Sequence, residues 1–386
     1  MDKKKTSTAL VLGLAGIWFT THFGGGFASG AQMYSYYVKF GIWCLIMPLL
    51  AMIYNAVFFT YCFRYARKRE LYDYGSYNKS FYGKYNKLFS VLFEILYITV
   101  MCVAPAVAFA TGGSTLENLT GLPYFACTAI IGVFIFIVAI FGTDIVRKVS
   151  SVLSICIIVG LLVVLIPNIV ANSAAIGANL SQMAAAPANF GAALWSAFIY
   201  GTFQLANVAV FVQHAKSLES PKDADPAMII GCIANALFMT LVCLGLVGVY
   251  NLPGYADAKV PTLFMVENGV GAGFMKPLIS VLIILGAVST AVNMVAAMTK
   301  RVSVLVMKPE ERKKEAESGK PSGKTIIVAL VVALADFGIA QFGLLPLIQK
   351  GYSFIAYLAI PVILIPYIIH MIVTKWDTKE LPEALR

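Results

Sequence analysis

The chain has 386 residues, of which 59% are hydrophobic and only 12% charged. Soluble domains run nearer about 45–50% apolar and about 25% charged, so an ordinary water-soluble domain is excluded. The formal net charge is +10, but the basic residues gather in short loops on one side of the apolar runs, which marks topology rather than a nucleic-acid surface.

The apolar residues are organised into long runs, among them Tyr124 to Phe141 and the uncharged Val149 to Val170. About 20 apolar residues suffice for a helix to cross a ~30 Å hydrocarbon core. Segmentation predicts about ten spans, near residues 8–38, 40–63, 87–111, 122–141, 147–170, 189–214, 226–250, 275–300, 325–342 and 350–374. The basic Met1 to Lys5 stretch is followed by no small-residue cleavage site, so the first run is expected to stay as a span. With ten spans both termini share a side. Of 29 Lys and Arg, only Lys39, Lys259, Lys276 and Lys350 then fall on the opposite side. The positive-inside rule makes the basic side cytoplasmic. The seven cysteines all sit in apolar segments without metal spacing and read as small buried hydrophobes.

Three loops stand out. Arg67 to Lys87 is basic and tyrosine-rich, as in an interfacial aromatic belt. Asn251 to Met275 carries Pro253, Pro261 and several glycines and is expected to fold back over the mouth of the protein. Residues 307–324, with Glu311-Arg312-Lys313-Lys314-Glu315, read as a solvated cytoplasmic linker.

The first span is the most informative. Gly24-Gly25-Gly26 falls in its middle, where each glycine costs about 1 kcal/mol of helix propensity relative to alanine. Unwound backbone in a bilayer is tolerated only where it is buried in protein or lines a cavity. Close helix packing is the other reading, and Gly26 with Gly30 has the required spacing of four; three glycines in a row go beyond it. In the sixth span Gly201-Thr202-Phe203-Gln204-Leu205-Ala206-Asn207 interrupts an apolar run with polar groups. Paired breaks in two halves point to a central transport site. The eighth span holds Gly286-Ala287-Val288-Ser289-Thr290. Its hydroxyls either bond back to carbonyls one turn earlier or form half of a site for a hard cation.

Few ionisable residues lie within spans. His22 abuts the glycines and fits proton sensing, substrate contact or a hydrogen-bonded spectator. Glu94 and Asp336 fit either a proton path or a structural pair. His214 and His370 are expected at the membrane interface. No catalytic constellation or phosphate loop is found, so an enzyme is not expected.

Gly24-x-Gly26-Phe27-Ala28-Ser29-Gly30, the polar sixth span and the Ser289-Thr290 pair resemble the amino acid–polyamine–organocation superfamily. The likeness is greatest to a poorly characterised bacterial branch with a similar Gly-x-Gly-Phe-Ala-Ser-Gly. Asp144-Ile-Val-Arg-Lys148, turning into span five, is similar to the branched-chain amino acid carriers of that superfamily. The resemblance implies an all-α membrane protein with a five-plus-five inverted repeat, repeat one over about 8–170 and repeat two over about 189–374. It implies a bacterial inner-membrane transporter of a small amino acid-like solute, with helices 1 and 6 broken. Sodium as coupling ion would meet the carbonyls of Thr20, Phe23 and Gly286 and the hydroxyls of Ser289 and Thr290. Substrate would meet His22, Gly24, Gly25, Gly26, Phe27, Gly201, Thr202, Phe203 and Gln204. The branch often carries a carboxylate soon after Ser-Gly, where Ala31-Gln32 stands here. Span five lacks the mid-span lysine of some proton-coupled relatives, which favours sodium.

The expectation is therefore sodium-coupled symport by alternating access. Proton coupling on the same fold, or a non-transporting sensor or assembly partner, are the alternatives. The bilayer is the one macromolecular surroundings expected, with no nucleic acid and no organic cofactor.

Overall fold

A computed structural model describes residues 7–141 and 143–382, with side-chain surroundings given for all of these except residues 25, 143–151, 153, 154 and 316. The Asp144–Lys148 segment of the resemblance, and the terminal cations among Lys3 to Lys5 and at Arg386, lie outside those descriptions. Among the described residues every regular element is helical.

Among the described residues eight helices are long and apolar enough to cross a bilayer: Met47–Lys68, Gly83–Thr120, Tyr124–Phe141, Phe190–Ser217, Pro221–Val247, Ala272–Val306, Gly323–Ala340 and Leu344–Val373. A ninth arises if Ile155–Ala171 and Ser173–Ala185, bent by 76°, form one span. Large apolar side chains such as Phe125, Val133, Phe134, Phe141 and Leu305 are exposed on the helices' outer faces. Water would penalise such a belt, whereas lipid matches it. The chain is a multi-pass membrane protein.

The first apolar segment is broken twice. Thr8–His22 ends at Phe23, whose backbone leaves the helix at φ −87° and ψ 71°. A single turn, Gly25–Ala28, follows, and Ala31–Tyr36 begins only after Gly30, which is left-handed at φ 75°. That conformation disfavours a side chain. The site is also tight, since a Cβ on Gly30 would lie 2.6 Å from Thr262 Oγ1. Thr262 belongs to the short helix Pro261–Glu267 in the Asn251–Met275 loop, and its amide donates to Ser29 O at 3.0 Å. The loop does fold back, and it docks on the second break.

At the basic end of the bundle the expected loops are ordered. Arg67 to Lys87 contains the helix Tyr74–Phe81, capped by Asp73, and Tyr77 reaches Tyr367 at 2.8 Å. Arg69 makes two bonds to Asp377, at 2.8 and 2.5 Å, and Lys68 adds another at 3.3 Å. Asp377 ends a run of three left-handed residues, Lys375, Trp376 and Asp377. The 307–324 linker forms the helix Pro309–Ser318.

Candidate functional site: the break against the long helix

The break in the first segment faces the middle of Ala272–Val306. A Cβ on Gly24 would sit 3.5 Å from Thr290 Oγ1, so the break lies within about a methyl group's reach of the hydroxyl. The chain turns there because Gly24 N bonds His22 O at 3.1 Å. In a continued helix that amide would serve Thr20 O, so the turn withdraws the helical donor from the Thr20 carbonyl. Thr290 Oγ1 donates back to Gly286 O at 3.0 Å. The back-bonding reading is correct for Thr290, and it uses the hydroxyl's hydrogen while leaving its lone pairs to accept or ligate.

Two cavities meet at this point. The larger, of about 700 Å³, is walled by Thr8–His22, Ala272–Val306, Pro221–Val247 and Ile155–Ala171. Thr20, Phe23, Gly286, Ser289 and Thr290 all line it. The five residues named for a cation are thus brought together. The volume far exceeds one ion and its ligands, so the space is an open approach rather than a closed shell.

The smaller cavity, of about 110 Å³, lies at the centre of the bundle. His22, Gly24, Gly26, Phe203 and Gln204 line it, as expected, together with Gln32, Asn207 and Tyr352. Thr21 and Thr290 line both cavities and form the partition. Drug-sized sites run to about 300–1,000 Å³, so the central space suits a solute of few heavy atoms. Among the described residues no charged side chain lines it; its wall mixes amides, hydroxyls and one imidazole with apolar side chains such as Val107, Met294 and Ile355.

His22 is held from both sides. Its Nδ1 is 2.6 Å from Asn235 Oδ1 and its Nε2 2.5 Å from Tyr200 OH. Asn235 Nδ2 donates to Gly231 O at 2.8 Å, which orients the amide so that Oδ1 accepts the Nδ1 proton. Tyr200 OH in turn reaches Gln32 Oε1 at 3.1 Å. The chain Asn235–His22–Tyr200–Gln32 therefore links the core to the cavity wall. Gly26 is small for the same reason, since a Cβ there would lie 3.1 Å from Gln32 Nε2.

Several expectations need correction. The sixth segment does not open at Gly201-Thr202. The helix Phe190–Gln204 runs through both, and only a 3-10 turn at Leu205–Asn207 interrupts it. Gln204 and Asn207 satisfy each other at 2.7 Å, so these polar residues tighten the helix instead of unwinding it. Gly201 O accepts from Asn55 Nδ2 at 2.7 Å, and Thr202 Oγ1 is 3.1 Å from Tyr54 OH. Both are tied to Met47–Lys68 and away from the cavity. Phe27 is fully buried, with its ring centroid 3.7 Å from that of Phe23, and braces the break. Gly25 lies in the Gly25–Ala28 turn, its surroundings outside the described residues. His370, near the end of Leu344–Val373, is buried at 4% exposure, with Nδ1 2.6 Å from Tyr61 OH, so its ring is packed inside the protein. Cys156 is exposed on the outer face rather than buried.

Glu94 resolves as a structural pair, bonded to Arg301 and reached by Tyr74 OH at 3.3 Å. Asp336 is 1% exposed, and its Oδ2 has no hydrogen-bond partner among the described residues. The sequence reading missed Asn235 and Tyr200 and did not place Gln32. A lone asparagine inside the apolar run 224–247 was the available signal.

No family model matches the chain, and no curated protein matches it.

Proposed function

We propose that the chain is a secondary active transporter that couples a cation, sodium, to a small zwitterionic solute such as an amino acid. One observation carries the reading: the Gly24 break lies beside Thr290, and Thr20, Phe23, Gly286, Ser289 and Thr290 line one open cavity next to a small central one. Carbonyls at the end of Thr8–His22 carry the negative end of a helix dipole, which suits a cation. The hydroxyl lone pairs of Thr290 suit it too. A central cavity lined by uncharged polar groups and apolar side chains suits a solute whose own charges cancel. In this reading the chain belongs to the amino acid–polyamine–organocation superfamily. It has ten spans in a five-plus-five inverted repeat, termini in the cytoplasm and a place in a bacterial inner membrane.

The deciding measurement is solute uptake into proteoliposomes across an amino acid panel, with and without a sodium gradient. Ser289→Ala with Thr290→Ala is expected to abolish the sodium dependence. Uptake that ignores sodium and survives the double change sinks the proposal.

Asp336 favours a second reading, since an unpartnered carboxylate inside a membrane helix marks a proton path by default. If protons drive the cycle, a pH gradient alone supports uptake and Asp336→Asn abolishes it.

A further inference from the structure

A third cavity, of about 690 Å³, lies at the basic end of Ala272–Val306, meeting the 700 Å³ cavity at Asn293 but sharing no lining residue with the central one. The uncharged stretch Pro277 to Thr299 is long enough to cover a ~30 Å core, so Lys300 marks where that helix leaves it. One wall of the cavity is the end of this helix; the other is the linker helix Pro309–Ser318 with the turn Gly319-Lys320-Pro321.

Three residues that line this cavity each carry a buried polar atom with no hydrogen-bond partner among the described residues: Thr299 Oγ1, Ser303 Oγ and Arg312 Nε. Thr299 and Ser303 are only 6% and 7% exposed and, four residues apart, share a helix face. Native proteins leave few buried donors unsatisfied, and each needs a reason. All three can donate. Lys300 and Lys320 line the same space, and neither they nor Arg312 has an ion pair among the described residues. The one carboxylate in the wall, Glu315, is occupied through Oε2 by Thr325 Oγ1 at 2.7 Å and Ser322 N at 3.1 Å. The site thus offers donors and positive charge to an anion with several acceptor oxygens. It also has an apolar side, formed by Ile140 and Val304, and Val304 is half exposed on the outer face next to Leu305.

We propose that this cavity binds a phosphate group, and that the apolar side assigns it to the headgroup of an anionic phospholipid. The phosphate oxygens accept from Thr299, Ser303 and Arg312, with Lys300 and Lys320 supplying charge. An acyl chain lies along Ile140 and Val304. Basic pockets between membrane helices are suited to such headgroups.

The test is the thermal midpoint of the purified full chain, titrated with phosphatidylglycerol, with phosphatidylcholine and with inorganic phosphate. Two variants are compared with the parent, Arg312→Gln and the double change Thr299→Val with Ser303→Ala. The double change removes two unpaired hydroxyls, so without ligand it is expected to leave the midpoint unchanged or raise it. Phosphatidylglycerol is expected to raise the parent's midpoint more than phosphatidylcholine does. Either variant is expected to need about tenfold more of it for half the shift. A response that is the same in parent and variants overturns the site. A variant-sensitive response to inorganic phosphate at equal concentration, without lipid, overturns the lipid assignment.

Discussion

Replacing Gly30 by alanine tests the second break directly. Two costs add. An L-residue held left-handed loses about 1–2 kcal/mol, and Gly30 sits at φ 75°. Its new Cβ would also lie 2.6 Å from Thr262 Oγ1 and 3.1 Å from Thr262 N. Relief of that contact moves Pro261–Glu267 away and loosens the Thr262 N to Ser29 O bond, worth about 1 kcal/mol net. The total is about 2–3 kcal/mol, or a thermal midpoint lower by on the order of 5 °C. The buried free cysteines Cys44, Cys62 and Cys243 supply a readout, since a thiol-reactive dye reports them only on unfolding. Gly24→Ala is the control, because its Cβ meets Thr290 at an ordinary 3.5 Å, and its midpoint should stay within about 1 °C of the parent. Adding Thr262→Ala to Gly30→Ala should recover the contact cost but not the backbone cost. A Gly30→Ala protein as stable as the parent refutes the reasoning, and so does complete rescue by Thr262→Ala.

Two further outcomes follow from the buried polar contacts. His22→Phe strands the buried Asn235 Oδ1, and is expected to cost about 1–3 kcal/mol; an unchanged midpoint in the same dye assay would show the bond to be dispensable. Asp377→Asn removes the charge that Arg69 and Lys68 share, and should cost about 1–3 kcal/mol, as for a partly buried charge-assisted pair. Reversing the pair as Arg69→Asp with Asp377→Arg should recover part of that loss, and a double variant no better than the single ones argues against the pair.

The sequence discloses what is local. Apolar runs announce membrane helices, and three adjacent glycines announce a weak point in the first one. What depends on distant partners stays hidden. Gly30 matters because of Thr262, and His22 is fixed by Tyr200 and Asn235, none of them close in sequence. The sixth segment misleads for a specific reason. Gln204 and Asn207 do line the central cavity, but Gln204 also accepts a bond from Asn207 within one turn, so the helix survives where a break was expected. His370 lies near a helix end, and its position there does not disclose that Tyr61 and the stacked ring of Phe81 enclose it. Composition cannot separate a polar residue that lines a cavity from one that a neighbour satisfies.

The Arg69–Asp377 contact has a bearing on how the molecule is made. Its partners are 308 positions apart. Chains emerge at about 5–20 residues per second, so Arg69 waits roughly 15–60 s for its carboxylate. Through that interval the basic stretch after Met47–Lys68 has no Asp377 to hold it. Closure of the basic end therefore waits until residue 377 has been made, and nascent chains halted before it should show that stretch open to protease.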